Sequence, residues 1–269
     1  GVSLAALTAG SAWAQTHTVV PDGVSSPKIT MTTDGDSLAV EEGGSIFEAA
    51  DFAVEITGAG VGVVIENFGY IQGAPAAIRV LGGADIEGLT NADDIFGGDF
   101  AVQIDNGSLF GLVNSGFMAG ANADSIFVAN GNIVDAVNLA GGGIVGQVNA
   151  IQVANGDILG LNNAGYLTGQ NGGGILVTGG GIYDLDNSGS ISGETSAITA
   201  DSIDGLSNFG GGQIMGLGLN SIGISVTGAG GLVNLTNEQG ASITGGDSGI
   251  DAGNTYIANV VNAGLIAGG

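Results

Sequence analysis

The sequence predicts an all-β fold, a right-handed parallel β-helix (solenoid) with coils of about 24 residues and three short strands per coil. Three observations carry this expectation. One phrase recurs at even spacing, apolar residues alternate with a period of two between its copies, and Gly and Asn separate the alternating runs.

The phrase reads apolar-x-Asn-x-Gly-x-apolar-x-Gly. It stands as IENFGYIQG at 65–73, LVNSGFMAG at 112–120, LNNAGYLTG at 161–169, LDNSGSISG at 185–193 and VVNAGLIAG at 260–268. Looser copies lie at 89–97, 137–146, 206–216 and 235–245. The marker residues Asn67, Asn91, Asn114, Asn138, Asn163, Asn187, Asn208, Asn237 and Asn262 are spaced by 24, 23, 24, 25, 24, 21, 29 and 25. After the closing Gly comes an apolar-x-apolar pair: Ile78 and Val80, Ile126 and Val128, Ile151 and Val153, Ile175 and Val177, Ile224 and Val226. A third apolar position follows at Ile86, Ile133, Ile158, Ile182, Ile203 and Ile257. Spacing of two puts both members of a pair on one strand face, which is expected to point inward.

Coils stacked at about 4.8 Å pair each strand with its counterparts above and below, so inward Ile, Val and Leu form ladders. Gly is expected where a corner needs positive φ or close backbone approach. The marker Asn is expected to take the left-handed corner conformation and to hydrogen-bond along the axis as an amide ladder. Right-handedness follows from the general preference of parallel crossovers, and nine coils make a rod about 43 Å long.

The ends differ. Residues 1–14 read as the remnant of a secretory signal peptide, with Ala12 and Ala14 at a small-residue cleavage site; an apolar strand is the alternative. Residues 15–37 are polar, contain Pro21 and Pro27, and are expected as an N-terminal linker or cap. The repeat domain is expected over 38–269, opening with a degenerate coil whose inward candidates are Leu38, Val40, Ile46, Val54 and Ile56. Its last repeat has no polar cap, so the natural protein is expected to continue beyond Gly269.

Composition excludes several classes. Mean hydropathy is +0.42, with 55 Gly and 3 Pro among 269 residues, which fits neither disorder nor collagen. Lys28 and Arg79 face 26 acidic residues, for a net charge of −24. Nucleic acid and anionic membranes are repelled by such a surface, which keeps an apolar stack soluble. Weak divalent-cation binding by surface Asp is the functional alternative. There is no Cys, so neither disulfides nor thiolate metal sites hold the fold.

Motifs that suggest chemistry fall on repeat positions. GGDSG at 245–249 echoes the nucleophile region of trypsin-like proteases, yet the one His is His17, read as a solvated tail residue. Asp135, Asp157, Asp184 and Asp204 are expected as a row along one solvent-facing side, with no facing pair for glycoside hydrolysis. Aromatic platforms are scattered: Trp13 is in the signal segment, and Tyr70 and Tyr166 share a repeat position expected to form a surface ladder. DGD at 34–36 lacks the Glu of a calcium loop, since that position is Ser45. TGAGVG at 57–62 and TGAGG at 227–231 occupy the same corner of two repeats rather than phosphate loops. No catalytic, cofactor-binding or metal-binding residue is therefore assigned, and the chain is not expected to be an enzyme.

An apolar leader followed by Gly/Asn-rich coils with this phrase resembles the passenger regions of bacterial autotransporters (type V secretion), over residues 38–269. The NPNG-type motif of two-partner haemagglutinins is absent. The resemblance implies a secreted or cell-surface adhesion or structural protein of a Gram-negative bacterium. It also implies an outer-membrane β-barrel translocator in the full-length protein, with surface glycans or proteins of a host or the environment as partners. Self-association into a filament or surface layer, and glycan binding or degradation, are the alternatives.

Overall fold

The computed structural model describes residues 16–269 as a continuous right-handed stack of parallel β-strands, with no helix among the described residues. The candidate signal segment 1–14 lies outside the described residues. One coil shows the plan. Ile158–Asn163 lies on a first face, Tyr166–Gly169 on a second and Gly173–Thr178 on a third, before Gly181–Asn187 resumes the first face one rung on. The second face is an eleven-stranded sheet from Ser25–Ser26 to Leu265–Ala267. The first and third faces merge into one twenty-stranded sheet, because the corner between them is itself extended within Ser196–Asn208 and Ile222–Asn237. Eleven rungs, separated by ten steps of about 4.8 Å, make a rod about 48 Å long.

Inward side chains set the register. Ile78, Val102, Ile126, Ile151, Ile175, Ile198 and Ile224 stack in one column of the third face and are fully enclosed. Ile71, Ile95, Met118, Ile144, Leu167, Ile191 and Ile214 do the same on the second face. Each such side chain contributes about 1.5–3 kcal/mol on burial, so the core is a filled column in place of a globular centre. The apolar pairs expected to point inward all do, as do Leu38, Val40, Ile46, Val54 and Ile56. Ile257 is the exception among the third apolar positions: it lies on the last rung and is 49% exposed, while Leu232 beneath it is enclosed.

The marker Asn residues form the amide ladder but do not turn corners. From Asn67 to Asn262, each Nδ2 donates to the Oδ1 of the next marker Asn over 2.7–2.9 Å. Asn67 through Asn237 are at most 1% exposed, and none of the nine has a positive φ. The left-handed conformation belongs to Asn106, Asn130 and Asn155 at the corner between the third and first faces, and to Asn234 and Asn259 within the first face. Polar satisfaction explains the difference. A buried amide needs a donor for its oxygen and acceptors for its nitrogen, which the axial ladder and neighbouring backbone carbonyls supply, whereas a left-handed corner leaves the side chain in water.

The Gly residues of the phrase serve close approach. A Cβ at Gly97 would collide with the carbonyl of Phe100, and one at Gly116 with the carbonyl of Asp93, though neither residue has a positive φ. Length variation falls mainly at corners, with a one-residue bulge at Glu87 inside the first face. The coil from Asn187 to Asn208 is trimmed around 194–195 and 201, and the next is lengthened at 209–212, 217–221 and 227–230. The rungs stay aligned across these two coils, since Asn187, Asn208 and Asn237 remain partners.

The polar stretch expected as a linker or cap forms the first rung. His17–Val20 pairs with Ser37–Val40, Ser25–Ser26 with Ser45–Ile46, and Ile29–Met31 with Val54–Ile56. Val20 and Met31 are buried in the inward columns, so the polarity of this stretch is that of its outward positions.

Candidate functional site

With the inward columns fixed by packing, any functional surface must come from outward side chains. The four acids expected in one row are divided by the register among three columns. Asp135 and Asp184 share a column with Gly160 between them, at φ of 54° and 58°. Gly111, Gly205, Asn234 and Asn259 occupy the same left-handed position, where the strand bends between two inward residues. Asp, Asn and Gly are the residues that tolerate it, so these two aspartates have a backbone role. Asp157 lies before the bend and accepts a hydrogen bond from the Gly181 N–H at 2.8 Å. Asp204 aligns with Tyr183 and accepts from Asn234 Nδ2 at 2.8 Å. Asp135 and Asp184 line a shallow groove of about 260 Å³ with Asp186, two coils or about 9.6 Å apart, and both are exposed.

The other motifs resolve into structure. Ser248 begins the strand Ser248–Asp251, and its Oγ donates only to Asp247 Oδ2, at 3.4 Å. His17 sits on the first strand, at the other end of the rod, with Nδ1 2.7 Å from Ser37 Oγ. It is an exposed strand residue, not a tail residue. Asp36 is buried and accepts from the N–H groups of Thr16 and Thr33 at 2.8 and 3.0 Å, while Asp34 accepts from Gly62 N–H at 3.0 Å. The segments at 57–62 and 227–231 are the corner between the third and first faces, with Gly60 and Gly231 at φ of 71° and 76°. Among the described residues, no three His, Asp or Glu side chains gather as a metal-binding group.

Electrostatics are concentrated at two places. Both cations of the chain flank Phe52: Lys28 Nζ and Arg79 Cζ lie 5.5 and 4.5 Å from its ring centroid. Lys28 pairs with Glu55 at 2.7 Å and Asp51 at 2.9 Å, and these hydrogen bonds, Glu55's first, raise its pKa. Arg79 lies 3.5 Å from Asp105. The remaining surface is therefore anionic. Asp124, only 5% exposed, accepts from both N–H and Nδ2 of Asn149 at 2.9 and 2.8 Å; burial nonetheless pushes its carboxyl above the usual range.

The second face carries an aromatic stripe. Its outward side has two columns, one holding Tyr70, Asp94, Phe117, Gly143 and Tyr166, the other Phe47, Gln72 and Phe96. Tyr70 and Phe96 have ring centroids 5.8 Å apart, and Phe96 and Phe117 5.5 Å apart, both pairs tilted. Tyr166 folds its ring over Gly143, where any Cβ would strike it. The Tyr70 hydroxyl donates to Gln72 Oε1 at 2.6 Å. Burial, then repulsion from Asp93, raises the pKa of Asp94 between the rings. Tyr70 and Tyr166 share an outward column as expected, but the ring contacts run from Tyr70 through Phe96 to Phe117 and stop short of Tyr166. Phe96 and Phe117 are visible in the sequence only once each copy of the phrase is aligned by register. Trp13 lies outside the described residues.

Compared with protein families, curated proteins and solved structures, the chain gives no significant match to any of them.

Proposed function

We propose that this protein is an exported adhesion or structural rod, a passenger segment of an autotransporter-like protein displayed at or released from a Gram-negative cell surface. The observation that carries the reading is the division of labour between inward and outward positions. Inward columns hold apolar aliphatic side chains over many coils, while outward positions vary around an uninterrupted axial hydrogen-bond ladder. A solenoid of that kind resists bending and repeats its surface along an axis, so many weak contacts add as avidity. A net charge of −24 and the absence of Cys suit a soluble exported rod that folds without disulfides. The small-residue pattern ending at Ala14 supplies the export signal in this reading.

Because the chain has no Cys, single engineered thiols test display cleanly. Gln213→Cys is outward and exposed, and Ile214→Cys is its enclosed neighbour. On intact cells making the full protein, a membrane-impermeant maleimide should label Gln213→Cys as fully as in lysates and leave Ile214→Cys unlabelled. Labelling of Gln213→Cys only after lysis overturns surface display. A reading frame that runs on into about twelve amphipathic strands would add the outer-membrane translocator.

A further inference from the structure

We infer that the outward side of the second face is a binding platform for an extended, neutral β-1,4-linked glycan lying along the rod axis. The inference rests on the adhesive reading above and gives it a ligand class. Three features of the stripe lead to it.

The first is spacing. Tyr70 and Phe117 share one column two coils apart, and Tyr166 follows in the same column with its ring folded back over Gly143. Two coils advance about 9.6 Å. That is close to the length of two pyranose units in an extended β-1,4-linked chain, which presents the same sugar face at every second unit. Phe96 lies on the intervening rung in the other outward column, in line for the unit between. The second feature is alternation of ring and polar group. Asp94 separates Tyr70 from Phe117, and Gln72 separates Phe47 from Phe96. Aromatic faces take the C–H surface of a pyranose, and interleaved carboxylate and amide groups take its hydroxyls. A purely apolar partner would leave those polar groups unpaired. The third feature is charge. Both cations are engaged around Phe52 on the third face, so nothing cationic serves this stripe, and a uronic or sulfated glycan would meet an anionic surface.

The test uses purified protein, so its failure is separate from failure of surface display. Migration through native gels containing soluble β-1,4-glucan (hydroxyethyl cellulose) is compared with gels containing alginate, and with co-sedimentation on phosphatidylcholine vesicles. The variant Phe96→Thr, Phe117→Ser, Tyr166→Ser removes three of the five rings, using residues that the fold already accepts in those columns, namely Thr168 and Ser190. Phe127→Ser, on the third face, is the control. Retardation of the parent by the glucan alone, weakened about tenfold or more in the triple variant and unchanged in Phe127→Ser, is the expected result. Absence of retardation, equal retardation of the triple variant, a preference for alginate, or binding to vesicles in place of glucan overturns the inference. A β-sheet circular dichroism spectrum and an unchanged melting midpoint for the triple variant show that the fold has been kept.

Discussion

Replacing one marker Asn in the middle of the ladder by Val isolates the energetic role of that column. Val is already accommodated there, because Val20 and Val40 precede Asn67 in the same register. In Asn163→Val the substituted residue no longer accepts from Asn138 Nδ2 or donates to Asn187 Oδ1, both at 2.8 Å, nor to the Ser190 carbonyl at 3.1 Å. Asn138 Nδ2 keeps the carbonyls of Gly142 and Tyr166, at 3.2 and 3.3 Å, so most of the damage falls on Asn187 Oδ1, left enclosed without its donor. One orphaned buried group costs about 1–3 kcal/mol, and the lost ladder bonds bring the expected destabilisation to about 2–4 kcal/mol. Asn262→Val at the exposed last rung breaks one ladder bond next to water and should cost under about 1 kcal/mol. The double variant Asn138→Val, Asn163→Val should cost less than the sum of its singles, because the 2.8 Å bond between the two sites is lost only once. Urea unfolding followed by far-ultraviolet circular dichroism, with hydrogen exchange on the neighbouring coils, reads the parent, the singles Asn138→Val, Asn163→Val and Asn262→Val, and the double variant. Equal costs at Asn163 and Asn262, or strict additivity in the double variant, would refute the ladder argument.

Three further outcomes follow from the same structure. The carboxyl of Asp124 titrates above its unfolded range because of burial, so its charged form opposes folding above the folded pKa, and that penalty is relieved as pH falls through it. Asp124→Asn retains an acceptor for Asn149 and should raise the thermal midpoint at pH 7, with the gain shrinking on acidification; a gain independent of pH contradicts the assignment. Gly97→Ala drives a methyl into the Phe100 carbonyl and should cost about 3 kcal/mol by urea denaturation, the upper end of overpacking. Ile175→Asp with Val177→Asp buries two unpaired charges at fully enclosed positions, each worth about 3–5 kcal/mol. Hydrogen exchange should show opening of the adjacent rungs first, since each coil depends on its neighbours; parent-like melting would refute the inward assignment.

The architecture was legible in the sequence because a solenoid writes its fold as a period. The spacing of Asn67 to Asn262 marks the rungs, and pairs such as Ile151 and Val153 mark the inward face. Conformational detail was harder to read, because Asn occurs in two physical roles with the same letter. Asn138 is a buried ladder amide, whereas Asn130 is a left-handed corner residue at φ 55° with an exposed amide. The bend shared by Asp135, Gly160 and Asp184 was likewise hidden, since left-handed backbone admits Gly, Asn and Asp alike and erases any single-letter signal. The strand character of the first rung is hard to read in the sequence because its short strands bury few residues, chiefly Val20 and Met31, among polar outward neighbours. At the surface, Tyr70 and Tyr166 were recognisable as equivalent, but Phe96 occupies a different position in its phrase. Its contact with Phe117 comes from stacking between coils, not from sequence proximity.

Thiol cross-linking between rungs tests the stacked-coil account most directly. Val113 and Val137 are register partners on the outward side of the first face, and Asn162 is the partner of Val137 one rung on. Adjacent rungs put paired Cα atoms about 4.8 Å apart, within reach of a disulfide, and a separation of two rungs, about 9.6 Å, is out of reach. Under mild oxidation, Val113→Cys with Val137→Cys should close within one chain, and Val113→Cys with Asn162→Cys should not. Closure of the second pair, or equal closure of both, would contradict the register on which the fold, the ladder and the aromatic stripe depend.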